Sequence, residues 1–375
     1  MGVIDTKKVD VAVVGAGIVG LAHAYLAARS RRTAAVFERN PAGLSASIRS
    51  FGMVWPIGQP AGRLHEIALR SREIWLEILQ QTKLPYLQAG SLHVAYRADE
   101  VAVGKEFSAK AASLGYECAW LTAHQTLDRS HAIRAEGLLG ALWSPTELTV
   151  DPRQIIRTLP QFLSERYGVQ FYLNTAVQRV ESSVLHTEGQ RCEADAIIVA
   201  GGDDFQTLFP ECFLDSALTR CKLQMMRTVP QPKGWQLGPS LAFGLTFRHY
   251  PTFQVCSTLQ ALKDRVTRET PEIDEWGIHV MVSQTALDEL TIGDSHECGL
   301  AVNIFDNPAV NRLILDYAKT YLRVPTLESG AVARSLCQAS GAALSQSYSR
   351  RWRSRNHGHE RHGHDHVFRT CRTNP

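Results

Sequence analysis

The apolar run Val9-Asp-Val-Ala-Val-Val14 leads directly into Gly15-Ala-Gly-Ile-Val-Gly20, and then into the Ala- and Leu-rich stretch Leu21 to Ser30. A short, nearly continuous apolar run suits a parallel strand buried on both faces. The stretch after it suits a helix. Ala34-Ala-Val-Phe37 is the next strand, closing on Glu38-Arg39-Asn40-Pro41. Together these form a βαβ unit of about thirty residues. In such a turn the first glycine allows the chain to bend sharply. The second lets a pyrophosphate approach the backbone, and the third lets the helix pack on the sheet. The phosphates then meet the free N–H groups and positive dipole of a helix N-terminus. Gly15, Ala16, Gly17, Ile18, Val19 and Gly20 are therefore the first candidate cofactor residues. Glu38 lies 18 residues beyond Gly20, close to the spacing of a carboxylate that takes a ribose hydroxyl. A carboxylate there opposes a 2′-phosphate, so NADP is not expected. FAD and NAD both remain open on this unit alone.

A chain of 375 residues with 44% hydrophobic and 21% charged residues is an ordinary globular composition, long enough for two domains. The net charge of +3 is unevenly placed: residues 350–375 carry +5, which leaves −2 for the rest. The body gives no sign of a nucleic-acid partner. Eight scattered cysteines without a CxxC pair read as reduced thiols in a cytoplasmic protein. Lys7-Lys8 before an apolar stretch resembles a signal peptide, but the ordered glycines fit a nucleotide fold better. Met1-Gly2 to Thr6 matches the myristoylation pattern, too short a pattern to weigh much. No run approaches the ~20 apolar residues of a membrane helix, so a soluble protein with no membrane span is expected.

Further along, helices are expected near 64–79, 102–114, from Pro152 to Gly168, and over 307–322. Strands are expected at 92–96, 169–173, 177–180 and 196–200, and an antiparallel sheet from Leu223 to about Leu300. Two segments favour FAD over NAD. Ser45-Ala-Ser-Ile-Arg-Ser-Phe-Gly-Met53 supplies hydroxyls, Arg49 for phosphate oxygens and Gly52 for close approach to a flat ring. Asp195-Ala-Ile-Ile-Val-Ala-Gly-Gly202 is a second buried strand ending in small residues, beside Val177.

On these residues the chain resembles the D-amino-acid oxidase/glycine oxidase family of FAD-dependent oxidoreductases. FGMVWPIGQPAG (51–62), KLQMMRT (222–228), RHY (248–250), GIHVMVSQ (277–284) and GDSHE (293–297) are similar to one subfamily, associated with aminophosphonate catabolism. The resemblance covers residues 9 to about 328. It implies a doubly wound, Rossmann-type α/β FAD domain (1–80 and 140–215), interleaved with an antiparallel or mixed-sheet substrate domain (81–139 and 216–328). It implies pyrophosphate at Gly15 to Gly20, ribose at Glu38 and Arg39, adenine at the backbone of Val177, and flavin by Ser47, Arg49, Gly52 and Met53, with Ser45, Ala200 and Gly201 as further cofactor residues. It also implies hydride transfer from the carbon bearing the amine to flavin N5, then hydrolysis of the imine, with O2 or an electron carrier as acceptor. The protein's part in that chemistry is orientation and electrostatics.

Arg248, His249, Tyr250 and His279 are the candidates for the substrate face. An arginine reads a carboxylate or phosphonate bidentately, and histidine and tyrosine orient an amine. The competing reading is structural: a surface arginine, and a satisfied core histidine at His279. His296 reads equally well as part of a turn with Asp294 and Ser295, and no metal site is expected.

From about Ser329 the sequence changes character and ends in a basic, His-rich tract, Arg351 to His366. Glu360 to Phe368 written as GAA CGG CAC GGG CAT GAC CAT GTC TTT becomes N-G-T-G-M-T-M-S when read one nucleotide later. The same offset from Ser329 permits R-E-R-W-H-G-V-Y-A-K-H-P-E-R-P. Both strings resemble the family's C-terminus, and synonymous codon choice contributes to the agreement. The reading is a one-nucleotide frameshift near 327–329, leaving 329–375 as an aberrant tail without fixed structure. Sequencing the nucleotides around those codons tests it: a single shift there should open G-T-G-M-T-M-S-F, and its absence ends the idea. The sequence thus points to an FAD-dependent oxidoreductase acting on a small anionic amine. The alternatives are a remnant that cannot retain FAD and an NAD-dependent dehydrogenase.

Overall fold

A computed structural model describes residues 5–214, 216, 218–328 and 332–342. The chain weaves between two units, divided at 49/50, 152/153, 221/222 and 338/339.

The first unit is built on a six-stranded sheet. Its order is Val177–Glu181, Val184–Thr187, Gln190–Val199, Asp5–Val14, Ala34–Phe37 and Gln170–Tyr172. Asp5–Val14 runs parallel to both of its neighbours, pairing Val11 with Ala196 and with Ala34. Val11, Ala12 and Val13 are buried, as are all four residues of Ala34–Phe37, which is why this part of the sequence shows no polar alternation. The helix Ile18–Arg29 follows the glycine turn and buries Gly20, Leu21, Ala24 and Tyr25. Pro152–Tyr167 is the second long helix of this unit. The edge strands Val177–Glu181 and Val184–Thr187 are antiparallel, so the sheet is mixed.

The second unit carries a nine-stranded sheet whose path runs Glu297–Gly299, Thr219–Thr228, Leu290–Gly293, Met281–Gln284, Ser240–Phe243, Ser91–Ala95, Gly140–Ser144 and Ala119–Leu121. All pairings along Met281–Gln284 are antiparallel, while Ser240–Phe243 and Ser91–Ala95 are parallel. Its core gathers Leu92, Phe107, Leu142, Phe243, Phe247, Phe253, Val282 and Ile292. A separate three-stranded sheet joins Met53–Val54 and Tyr86–Leu87 to Leu148–Val150. Segments 50–80 and 140–152 fall in the second unit, whereas the sequence reading groups them with the nucleotide domain. Short two- and three-residue strands give too little periodicity to be seen in sequence.

The antiparallel sheet expected over 223–300 is interrupted by helices. Gly244–Arg248 and Pro251–Val255 are 3-10 turns, and Leu259–Glu269 and Pro271–Glu275 are helices. Leu259, Leu262 and Val266 are the buried face of the longer helix, a spacing of three and four that marks a helix rather than a strand. Val332–Ala342, counted in sequence with the aberrant tail, forms a strand paired with Thr219–Thr228. The rest of the tail, including the His-rich tract, lies outside the described residues. Cys118, Cys192 and Cys256 are free, but Cys221 and Cys298 are disulfide-bonded, which corrects the expectation of a fully reduced set. Bridges between distant residues leave no trace in sequence spacing. Among the described residues no helix is long and apolar enough to cross a membrane.

Candidate active site

The glycine turn of the first unit has the geometry that a bound pyrophosphate needs. Gly15 has φ +103°, and a Cβ on it would lie 2.3 Å from the Ala200 carbonyl oxygen. A Cβ on Gly20 would lie 1.9 Å from the Gly15 carbonyl oxygen, so the third glycine is what lets the helix begin so close to the turn. Gly17 differs. A Cβ there would meet only the Ser47 hydroxyl, at 3.2 Å. Gly17 is also the N-cap of Ile18–Arg29 and offers that helix no side-chain cap. The Ile18 N–H donates to Ser47 Oγ at 3.0 Å. Hydroxyl and glycine together leave a small, polar, movable cover over the helix N-terminus, which fits the phosphates of a dinucleotide.

Glu38 is buried at the end of Ala34–Phe37. Its Oε2 accepts the Ala16 N–H at 2.9 Å, and its Oε1 accepts the Asn40 backbone N–H at 2.9 Å. The carboxylate is thus held rigidly against the turn, where a ribose would lie in a nucleotide fold. Arg39 is half exposed and paired with Asp204 at 2.7 Å. Ser45 is exposed, and Arg49 ends the short helix Ala46–Arg49. Val177 is buried at the sheet edge, and the Ala200 N–H donates to the Val14 carbonyl at 2.8 Å. Gly201 opens the turn to Asp204. Gly52 and Met53 belong to the second unit. Gly52 has φ +72°, and a Cβ on it would stand 2.0 Å from the Val150 carbonyl oxygen, so backbone packing alone already demands glycine. Met53 pairs with Thr149.

In the second unit the candidates form one cluster. His249 and Tyr250 follow the 3-10 turn Gly244–Arg248, and Pro251 stops the chain from continuing as a strand. His279 is fixed opposite Asp294 by two backbone bonds, His279 N to Asp294 O at 3.1 Å and Asp294 N to His279 O at 2.7 Å. His296, two residues on, closes the group. The ring centroids of His249 and His279 are 3.9 Å apart, and those of His249 and His296 are 4.4 Å apart. Burial, then the neighbouring histidines and Arg248, holds His279 well below its ordinary pKa; burial does the same to His249, and lowers His296 to about 4. All three are neutral imidazoles at pH 7. Burial raises the Asp294 carboxyl and the Tyr250 phenol.

His279 is not the satisfied core histidine of the structural reading. Its Nε2 lies 3.0 Å from Asp294 Oδ1, but neither ring nitrogen has a hydrogen bond of good geometry. Arg248 is otherwise engaged: it donates to Asp274 Oδ1 at 2.8 Å, to the Ile278 carbonyl at 2.8 Å and to the Ile273 carbonyl at 3.3 Å. The Tyr250 hydroxyl donates to Met281 Sδ at 3.3 Å. His296 and Asp294 were left as turn residues in sequence. Their place in the cluster follows from strand pairing that puts 279 opposite 294, which no local pattern reveals. The three histidines also form a set that the sequence reading, expecting no metal site, does not contain.

Residues 10–339 match the family described as FAD dependent oxidoreductase, so the chain belongs to that family. The match reaches eleven residues past the boundary at 328 that the sequence suggested. The glycine oxidase of Geobacillus kaustophilus (strain HTA426) is 25% identical over 209 residues, 52% of this chain and 55% of that protein. The alignable part therefore spans about half of this curated relative's length. The crystal structure of glycine oxidase from Geobacillus kaustophilus superposes with a TM-score of 0.70 at 19% identity, covering 90% of this chain and 84% of that one. L-proline dehydrogenase from P. horikoshii gives 0.72 at 17% identity, covering 91% and 83%. These likenesses show the fold: a mixed α/β flavoenzyme architecture.

Proposed function

We propose that this chain oxidises the carbon–nitrogen bond of a small anionic amine, an amino acid or an aminophosphonate, to an imine that water then hydrolyses. The observation that carries the reading is the Gly15–Gly20 turn locked against Ala200, with Glu38 fixed beside it, in a chain of an FAD-dependent family. FAD, when bound, supplies the two-electron acceptor. The turn from Gly15 to Gly20 would hold its pyrophosphate, Glu38 and Arg39 its ribose, Val177 its adenine, and Ser45, Ser47, Arg49, Ala200 and Gly201 the rest. Amino-acid substrates are supported by the relatives, whose names are glycine oxidase and L-proline dehydrogenase. The aminophosphonate alternative rests on the motifs at 51–62, 222–228 and 277–297.

On the substrate side, His249, His279 and Tyr250 offer a polar face in an otherwise apolar core. An amine must be neutral before it is oxidised, and neutral imidazoles accept hydrogen bonds from it without adding charge. Arg248 serves here as a positioning residue, tying the 3-10 turn before His249 to Ile273, Asp274 and Ile278. O2 or an electron carrier takes the electrons onward, in the cytoplasm.

The test uses the full 375-residue chain. FAD is added to the purified protein, excess is removed, and the absorbance is recorded anaerobically with glycine, other amino acids and aminophosphonates in turn. Retained flavin bands that bleach with one of these amines are expected. A chain that retains no flavin sinks the reading and leaves a non-catalytic remnant of the family.

A further inference from the structure

We infer that His249, His279 and His296 form a binding site for one divalent transition-metal cation of the zinc type, with Asp294 behind His279 as its positioning carboxylate. One ligand atom from each imidazole lies within 4.8 Å of the others. A tetrahedral zinc with nitrogens at about 2.0–2.1 Å requires separations of about 3.4 Å, so ring movements of about an ångström close the site. Such movements are open to side chains at the ends of turns, as His249 and His296 are.

Two features favour a metal over a merely buried aromatic group. The second ring nitrogens have the partners that metal-bound histidines use to fix their tautomer. His296 Nδ1 lies 3.1 Å from the Gly277 carbonyl oxygen, leaving Nε2 as donor to the cation. His279 Nε2 lies 3.0 Å from Asp294 Oδ1, leaving Nδ1. Finally, His279 Nδ1 is buried without a hydrogen bond. A buried polar atom left so is costly, and a bound cation would satisfy it. The nearby Arg248 charge opposes a cation, but it is already paired with Asp274.

Three protein ligands leave one position open. With Arg248 Nη1 and Nη2 already given to Asp274, Ile273 and Ile278, the open position is a receptor on this face for a carboxylate or phosphonate oxygen. That last role rests on the proposed amine oxidation; the metal site itself does not.

The His-rich tail would also bind metal, so the probe protein is the full chain carrying His357→Gln, His359→Gln, His362→Gln, His364→Gln and His366→Gln. It is stripped with chelator, dialysed against zinc alone, and its metal content measured. About one zinc per chain is expected. His249→Gln with His296→Gln in the same background should lower the affinity at least tenfold, and Asp294→Asn should lower it about 10–100-fold. Should the histidine variants fail to fold, cobalt decides on the intact cluster: ligand-field bands of a tetrahedral nitrogen site support the proposal. Less than a tenth of a zinc per chain, or the spectrum of hydrated cobalt, overturns it. Flavin retention is read separately, so loss of metal and loss of flavin are distinguishable.

Discussion

Gly20→Ala is expected to abolish FAD retention and to remove about 3 kcal/mol of stability, whereas Gly17→Ala should impair flavin binding alone. The two glycines look equivalent in the sequence, and the structure separates them. At Gly20 the added carbon would sit 1.9 Å from the Gly15 carbonyl oxygen, 3.1 Å from its carbon and 3.2 Å from Val13 Cγ1. Backbone cannot move aside as a side chain does, so the helix Ile18–Arg29 must shift off the strand that ends at Val14. At Gly17 the added carbon meets only a rotatable hydroxyl, and the backbone, at φ −69° and ψ 172°, already suits any residue. An alanine N-cap there should cost under about 1 kcal/mol, while its methyl group intrudes where phosphate must approach. Urea unfolding followed by circular dichroism, with equilibrium dialysis against FAD, measures both quantities. A Gly20→Ala chain as stable as its parent would refute the packing argument, and a Gly17→Ala chain with undiminished flavin affinity would refute the phosphate assignment.

That contrast shows what a sequence carries and what it withholds. The strand–turn–helix at 9–30 was legible because every local signal agrees: an apolar run, three glycines at fixed spacing, then helix formers. Glu38 was legible from its distance past the turn. The helix Leu259–Glu269 had the right period but lay among alternating residues that outweighed it. The His249–His279–His296 cluster was only half visible. His249 and His279 stood out as polar residues in apolar surroundings, but their meeting depends on backbone pairing between 279 and 294 and on a turn at 244–248. Arg248 is a different case: its type suggests anion recognition, and its partners, supplied by Ile273, Asp274 and Ile278, could not be known until the chain was folded.

His93 went unnoticed in the sequence for the same reason, and replacing it by phenylalanine is expected to stabilise the protein, more so in acid. It lies at the centre of Ser91–Ala95, fully buried, with ring centroids of Trp55, Phe247 and Phe253 at 5.5, 5.4 and 5.2 Å. Neither of its ring nitrogens has a hydrogen-bond partner. Burial alone lowers its pKa from 6.5 to about 3. Below pH 6.5, therefore, the unfolded chain binds a proton that the folded chain refuses. The stability is complete above pH 6.5 and is lost as pH falls towards 3, by about 1.4 kcal/mol per pH unit. His93→Phe keeps an aromatic ring in an aromatic nest and removes two unsatisfied polar atoms, a gain of about 1–2 kcal/mol at pH 7 after allowing for the slightly larger ring. Between pH 6.5 and 5 the gap between variant and parent should widen by about a further 2 kcal/mol. The other buried histidines, His65, His249, His279 and His296, titrate in both chains and cancel from that difference. Urea unfolding of the pair at several pH values measures it directly, and parallel stability curves would mean that His93 accepts its proton in the folded state after all.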